Sequence, residues 1–194
     1  MNVLFEDNEI IVLVKPVGIP SEDTPNGEKG IIDLLKNQQG LSDVFLLHRL
    51  DRNVGGVMVF AKTKKSAAHI SKQIQENTFK KTYFAVVDGA IEEKQGIYKD
   101  LLFKDSTKKR SYVVNRMRKG VKEASLEYIV LSENENKSLV KVTLHTGRTH
   151  QIRVHFASLG TPLVGDDMYG KADDEISRHS LHCEKMTFVH PVTG

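Results

Sequence analysis

Cysteine is almost missing from this chain. Cys183 is the single one among 194 residues, so no internal disulfide can form. Long apolar runs are missing too: the longest aliphatic stretch, Ile10 to Val14, falls far short of the roughly 20 residues that span a bilayer. No basic-then-apolar leader opens the sequence, because Glu6, Asp7 and Glu9 arrive almost at once. There is no Cys-x-x-Cys pair and no His-Glu-x-x-His, and Gly55-Gly56 is neither a Walker loop nor a dinucleotide fingerprint. His179, His182 and Cys183 lie close together, but 182 and 183 face opposite sides of a strand. His145, His150 and His155 recur every five residues, which does not stack them on one helix face. No internal repeat and no low-complexity tract occurs. These absences argue against a disulfide scaffold, a membrane span and a metal site, and point to the cytoplasm.

What is present suits a soluble globular protein: 39% hydrophobic residues, 27% charged, and a net charge of +3 that permits a nucleic-acid partner without requiring one. Strands are expected at 3–6, 10–15, 44–47, 57–61, 81–87, 97–103, 110–116, 123–131, 138–145 and 180–189, separated by polar turns. Helices are expected at about 30–39, closed by Gly40, at 66–76 with Ala67, Ile70 and Ile74 on one face, and at 151–159 with Ile152, Phe156 and Leu159 on one side. Strands outnumber helices and several connections are short. The class is therefore α+β, with a mixed, largely antiparallel central sheet and flanking helices, in a single domain over residues 1–194.

Three groups could carry chemistry. Asp51 follows an apolar strand with Arg49 and Arg52 beside it. Neighbouring cations favour the charged carboxylate, which can serve as nucleophile or base; a surface salt-bridge network would hold the same residues. Gly147-Arg148-Thr149-His150-Gln151-Ile152-Arg153-Val154-His155 follows a strand and opens a helix, placing donors near a helix N-terminus that attracts anions, and reads equally as an ordinary basic helix start. Between Lys104 and Lys122 eight Lys or Arg face one acid, Asp105, with Tyr112 among them. Such a surface fits a phosphate backbone, or is a solvated lysine face.

Taken together, these blocks resemble the RluA-type family of RNA pseudouridine synthases over nearly the whole chain. The resemblance runs through Glu6-Asp7-Asn8-Glu9-Ile10-Ile11-Val12, Lys15-Pro16-Val17-Gly18-Ile19, His48-Arg49-Leu50-Asp51-Arg52 with Gly56, and Phe60-Ala61-Lys62-Thr63. It continues through Lys81-Thr82-Tyr83-Phe84-Ala85-Val86-Val87, Thr146 to His155, Gly165-Asp166, Tyr169-Gly170, Leu181-His182 and His190-Pro191. The His-Arg-Leu-Asp-Arg block followed at this separation by Gly-Arg-Thr-His-Gln-Ile-Arg is the specific part.

The resemblance implies an isomerase that converts uridine in structured rRNA or tRNA to pseudouridine. It breaks the N-glycosidic bond, turns the uracil and rejoins it through carbon 5, by a covalent sugar intermediate or by a glycal. The family's catalytic aspartate falls on Asp51, its base-packing tyrosine on Tyr83, and the arginine paired with the aspartate on Arg153. The arginine that helps displace the target base falls on Arg49. His48, Arg52, Arg148, Lys108, Lys109 and Arg110 join it as substrate-binding residues. The reaction is redox-neutral and releases nothing, so no cofactor and no metal is expected, and the enzyme is expected to be a monomer. Asn53-Val54-Gly55-Gly56 stands where the family usually has a Thr-Ser-Gly-like stretch, and Ser21-Glu22-Asp23 where it often has a His. No separate N-terminal RNA-binding domain is expected. The rival readings are a non-catalytic RNA-binding module on the same fold, for which a carboxylate facing RNA is a burden, and a metal-dependent nuclease, for which clustered acidic ligands are wanting.

Overall fold

The computed structural model describes residues 2–134, 136–173 and 176–194, with 38 and 39 described in their backbone alone. They form two compact units, one of residues 1–81 with 182–194, the other Thr82–Leu181. Among the described residues, ten strands and three helices make up the expected α+β class.

In the first unit the chain opens with β1 (Asn2–Glu6) and β2 (Ile10–Lys15), joined by a tight turn in which the Asp7 carboxylate accepts the Glu9 and Ile10 N–H groups. Helix α1 (Ile31–Gln39) ends on Gly40, whose φ of 66° is the left-handed cap that glycine provides without strain. The short β3 (Phe45–Leu46) and the long β4 (Gly55–Ala61) follow, then α2 (Lys64–Gln75). The strand order is β1-β2-β4-β10, where β10 is Leu181–Thr187, with β3 also pairing β4. β1–β2, β2–β4 and β3–β4 are antiparallel, and β4–β10 is parallel. That parallel pair explains why β4 begins two residues earlier than expected: Gly55 and Gly56 lie opposite His182 and Cys183. Gly56 has φ 124°, and a Cβ there would stand 2.2 Å from the Cys183 carbonyl oxygen, so the close approach requires glycine. Helix α2 also starts two residues early, because Thr63 caps it by accepting the Ser66 N–H at 3.1 Å. Its Ile70 packs with Ile10, Val59 and Phe79 in the core of this unit.

The second unit holds most of β5 (Lys80–Asp88), then β6 (Gln95–Asp105), β7 (Arg110–Val114), β8 (Val121–Glu133), β9 (Lys137–Leu144) and α3 (Gln151–Ser158). The order here is β5-β9-β8-β6-β7, and the β9–β8, β8–β6 and β6–β7 pairs are antiparallel. Alternation sets the faces: Ser138, Val140, Val142 and Leu144 of β9 are buried, as are Tyr83, Ala85 and Val87 of β5. Helix α3 departs from the expected one-sided pattern. Gln151 through Phe156 are all buried, while Leu159 lies past the last turn and is exposed. A helix enclosed on every side must satisfy its polar groups internally, and that requirement shapes the site described next.

Candidate active site

In the first unit Asp51 rides on a loop tethered on both sides of it. Leu50 is buried; its N–H donates to the Ser21 hydroxyl oxygen at 3.1 Å, and that hydroxyl donates to the Leu50 carbonyl at 2.8 Å. The Val54 N–H donates to the Asp51 carbonyl at 2.9 Å, closing a turn over Arg52 and Asn53. The Arg52 carbonyl in turn accepts from the Gly18 N–H at 2.9 Å and from Lys15 Nζ at 3.1 Å. Half-buried Asp51 is thus flanked by fixed backbone.

Lys15 is a residue to which sequence reasoning attached no role. It is fully buried, and its ammonium donates to three carbonyls, those of Pro16 at 2.8 Å, Ile19 at 2.7 Å and Arg52 at 3.1 Å. Burial pulls its pKa down from 10.5 to about 8, and the negative charge of Asp51 pushes back upward. A buried cation therefore stands within the field of the Asp51 carboxylate, on the strand that feeds the Lys-Pro turn.

The other loop residues have separate tasks. His48 Nε2 accepts the Val59 N–H of β4 at 3.2 Å, its ring lies 5.8 Å from that of Phe79, and Nδ1 is shut off from water. Burial, helped by the positive charge of Lys81, depresses its pKa to about 3, so the ring stays neutral. Arg49 pairs with Glu22 at 2.6 Å, and Arg52 pairs with Glu28 at 2.8 Å while donating to the Gly18 carbonyl. The Ser21-Glu22-Asp23 departure from the family pattern thus has local consequences: Ser21 clamps Leu50 and Glu22 holds Arg49.

In the second unit Arg153, on α3, is 4% exposed. Its Nε and Nη2 donate to the two oxygens of fully buried Asp166 at 2.7 and 2.8 Å, a planar two-pronged contact. One Asp166 oxygen also accepts the Met168 and Tyr169 N–H groups at 3.2 Å. Burial works to raise the Asp166 pKa, but the hydrogen bonds and charge of Arg153, the charge of His179 and the Tyr169 N–H outweigh it and hold the carboxyl below its ordinary value. Gly165 has φ 72°, and a Cβ there would lie 2.2 Å from the Arg178 carbonyl oxygen, which accounts for a glycine beside this aspartate. The Tyr169 ring centroid lies 5.0 Å from the Arg153 guanidinium carbon, and its hydroxyl accepts the Ser111 N–H at 2.7 Å.

Tyr83 is buried on β5. Arg148 Nε donates to the Glu123 carbonyl at 2.8 Å. Lys108 and Lys109 are exposed in the β6–β7 turn, where Asp105 accepts the Thr107 and Lys108 N–H groups and Lys109 takes φ 52°. Arg110 folds back over aromatic rings, 4.7 Å from the centroid of Tyr169 and 5.7 Å from that of Tyr112. Asp166 and Tyr169 belong to the family's motif blocks, but no spacing rule links 153 to 166; the link depends on where the chain after α3 returns. Among the described residues, no group of three or more His, Cys, Asp and Glu could hold a metal ion, and no helix is long and apolar enough to cross a membrane.

Residues 9–158 match the family model described as RNA pseudouridylate synthase. The "uncharacterized RNA pseudouridine synthase YhcT" of Bacillus subtilis (strain 168) is 36% identical over 201 residues, covering 100% of this chain and 65% of that protein. The ribosomal large subunit pseudouridine synthase C of Buchnera aphidicola subsp. Schizaphis graminum is 33% identical, covering 100% of this chain and 64% of that protein. The chain therefore spans somewhat less than two thirds of the length of these relatives. Among solved structures, human RNA pseudouridylate synthase domain containing 1 superposes with a TM-score of 0.80 at 24% identity, covering 95% of this chain and 77% of that one, a likeness of fold.

Proposed function

The chain belongs to the RNA pseudouridylate synthase family, and from that premise we propose that it isomerises uridine to pseudouridine at specific sites in structured rRNA or tRNA. Asp51 is the catalytic carboxylate, Tyr83 the ring that packs on the uracil, and Arg153 the arginine that serves the aspartate. Arg49, with His48, Arg52 and Arg148, handles the displaced base and its strand, and Lys108, Lys109 and Arg110 meet the phosphate backbone. Residues 1–194 supply the enzyme's catalytic domain, and it works as a monomer in the cytoplasm. It needs no redox cofactor, because the isomerisation neither consumes nor releases electrons, and no metal, because the sequence offers no Cys-x-x-Cys or His-Glu-x-x-His ligand pair.

The observation that carries the reading is the anchoring of the Asp51 loop. A carboxylate that must attack or deprotonate a sugar, or attack a base, has to be aimed before the RNA arrives. Backbone bonds to Ser21, Gly18 and Lys15 hold the residues on either side of Asp51. A binding module has no use for this arrangement, since a fixed carboxylate repels phosphate. The target base must leave its stack at a cost of a few kcal/mol, which suits uridines in loops. Asp51→Asn is nearly isosteric and removes only the charge. It should abolish tritium release from 5-tritiated RNA while leaving RNA affinity and thermal melting near wild type; substantial residual turnover would falsify the assignment.

A further inference from the structure

Resting on the role of Arg153 just proposed, we infer that Tyr169 is a positioning residue that couples the basic strand β7 to Arg153. One side chain makes most of the connections. Its ring carries two guanidinium groups, Arg110 with Cζ 4.7 Å from the centroid and Arg153 at 5.0 Å. Its hydroxyl accepts the Ser111 N–H of β7 at 2.7 Å and lies 3.0 Å from His150 Nδ1 at the start of α3. Ser111 closes the circuit by donating its hydroxyl to the Thr149 carbonyl at 2.7 Å. The ring also packs against the cluster of Leu102, Ala124 and Val154, the last being the α3 residue next to Arg153.

The charges of this cluster are unbalanced in an informative way. Arg153 has the buried carboxylate of Asp166. Arg110 has no carboxylate partner among the described residues, and its Nε is buried without a hydrogen-bond acceptor. Two cations over one ring repel each other, and Arg110 is the one left to be compensated from outside. A phosphate of the RNA backbone at Arg110 supplies that compensation. Its arrival relieves the repulsion across Tyr169 and settles the ring, and with it Arg153. Arg110 thereby acts on the rate of the chemical step as well as on affinity, and Tyr169 acts on the rate without contacting the RNA.

The test uses the full chain and 5-tritiated RNA from cells deleted for this gene. RNA affinity is read by filter binding, and single-turnover tritium release is read at saturating enzyme. Tyr169→Leu should keep RNA affinity within about twofold and lose roughly a hundredfold in single-turnover rate, the scale of a misaimed catalytic group. Tyr169→Phe keeps the ring and loses the hydroxyl; it should lose about tenfold and so fall between. Arg110→Ala should lose both affinity and saturating rate, the latter by about tenfold. If Tyr169→Leu is poorly folded, Tyr169→Phe and Arg110→Ala decide. Wild-type saturating rates in both of those variants would overturn the inference, as would a Tyr169→Leu enzyme that is folded and fully active. Asp51→Asn, run in parallel, separates the two levels: residual turnover there defeats the parent reading, whereas an inert Asp51→Asn beside a fully active Tyr169→Leu defeats only the coupling.

Discussion

Lys15→Met takes an ammonium out of the interior while keeping most of the side-chain length. Three carbonyls lose this donor, those of Pro16, Ile19 and Arg52. The Arg52 carbonyl keeps the Gly18 N–H; an acceptor left without a partner costs about 1–3 kcal/mol, so the other two together cost about 4. Removing the charge gives some of this back. The drop in pKa from 10.5 to about 8 reports a buried cation disfavoured by about 3 kcal/mol, at about 1.4 kcal/mol per unit. The balance is a destabilisation of about 1 kcal/mol, readable as a lower urea midpoint at pH 7. The functional loss should be larger than the stability loss implies. Arg52 is the residue after Asp51, and with its carbonyl released from Lys15 the loop keeps only the Ser21 and Gly18 tethers. Single-turnover tritium release per folded molecule should fall by ten- to a hundredfold, roughly. The pH dependence provides an internal control. Because folding lowers the Lys15 pKa, the unfolded chain binds more protons between about pH 8 and 10.5. Wild-type stability should therefore gain from Lys15 as pH rises through that window and lose that gain as pH falls back through about 8, while the Met variant shows no such contribution. A Lys15→Met enzyme with the wild-type urea midpoint and turnover would refute the view that this lysine holds the catalytic loop.

Other outcomes follow from the same geometry. His48 has a folded pKa of about 3 against 6.5 when free, so the unfolded chain alone takes up its proton as pH falls from about 6.5 toward 3. Its contribution to stability is full above 6.5 and about 3 kcal/mol smaller at pH 4.5; His48→Gln, which cannot titrate, should lose less between pH 7 and 4.5 in chemical denaturation. Gly56→Ala puts a Cβ 2.2 Å from the Cys183 carbonyl at φ 124° and should cost at least about 3 kcal/mol, visible as a melting temperature lowered by many degrees; an unchanged melt would mean β4 and β10 do not pack as described. Neutralising Lys108, Lys109 and Arg110 together should flatten the dependence of RNA affinity on salt by about one unit of logarithmic slope for each phosphate that no longer meets a cation, without changing which uridine is modified; an unaltered slope would place the RNA on another surface.

Much of the architecture is legible in the residues because short-range physics decides it. Alternation in β5 and β9, glycine closing α1 and the polar turn at Asp105 all act over a few residues, and the expected boundaries lie within two residues or so of those observed. Alternation even carries Lys15 inward, on the same face as Ile11 and Leu13, though nothing local says what would receive its charge. The motif blocks likewise single out Asp51, Tyr83 and Arg153 by resemblance. Partnerships across long stretches of chain were beyond that reach. The carbonyl cage of Lys15 joins residue 15 to residue 52, the fork on Arg153 comes from Asp166, and the Tyr169 ring gathers Arg110 and Arg153. Glycine at 56 is explained only by the backbone of β10, more than a hundred residues away in sequence. The residue types and their local conformation follow from the sequence by itself. Which buried charge meets which partner was decided by the tertiary structure, because an ion or polar group taken out of water must be satisfied by whatever the folded chain brings within hydrogen-bonding distance.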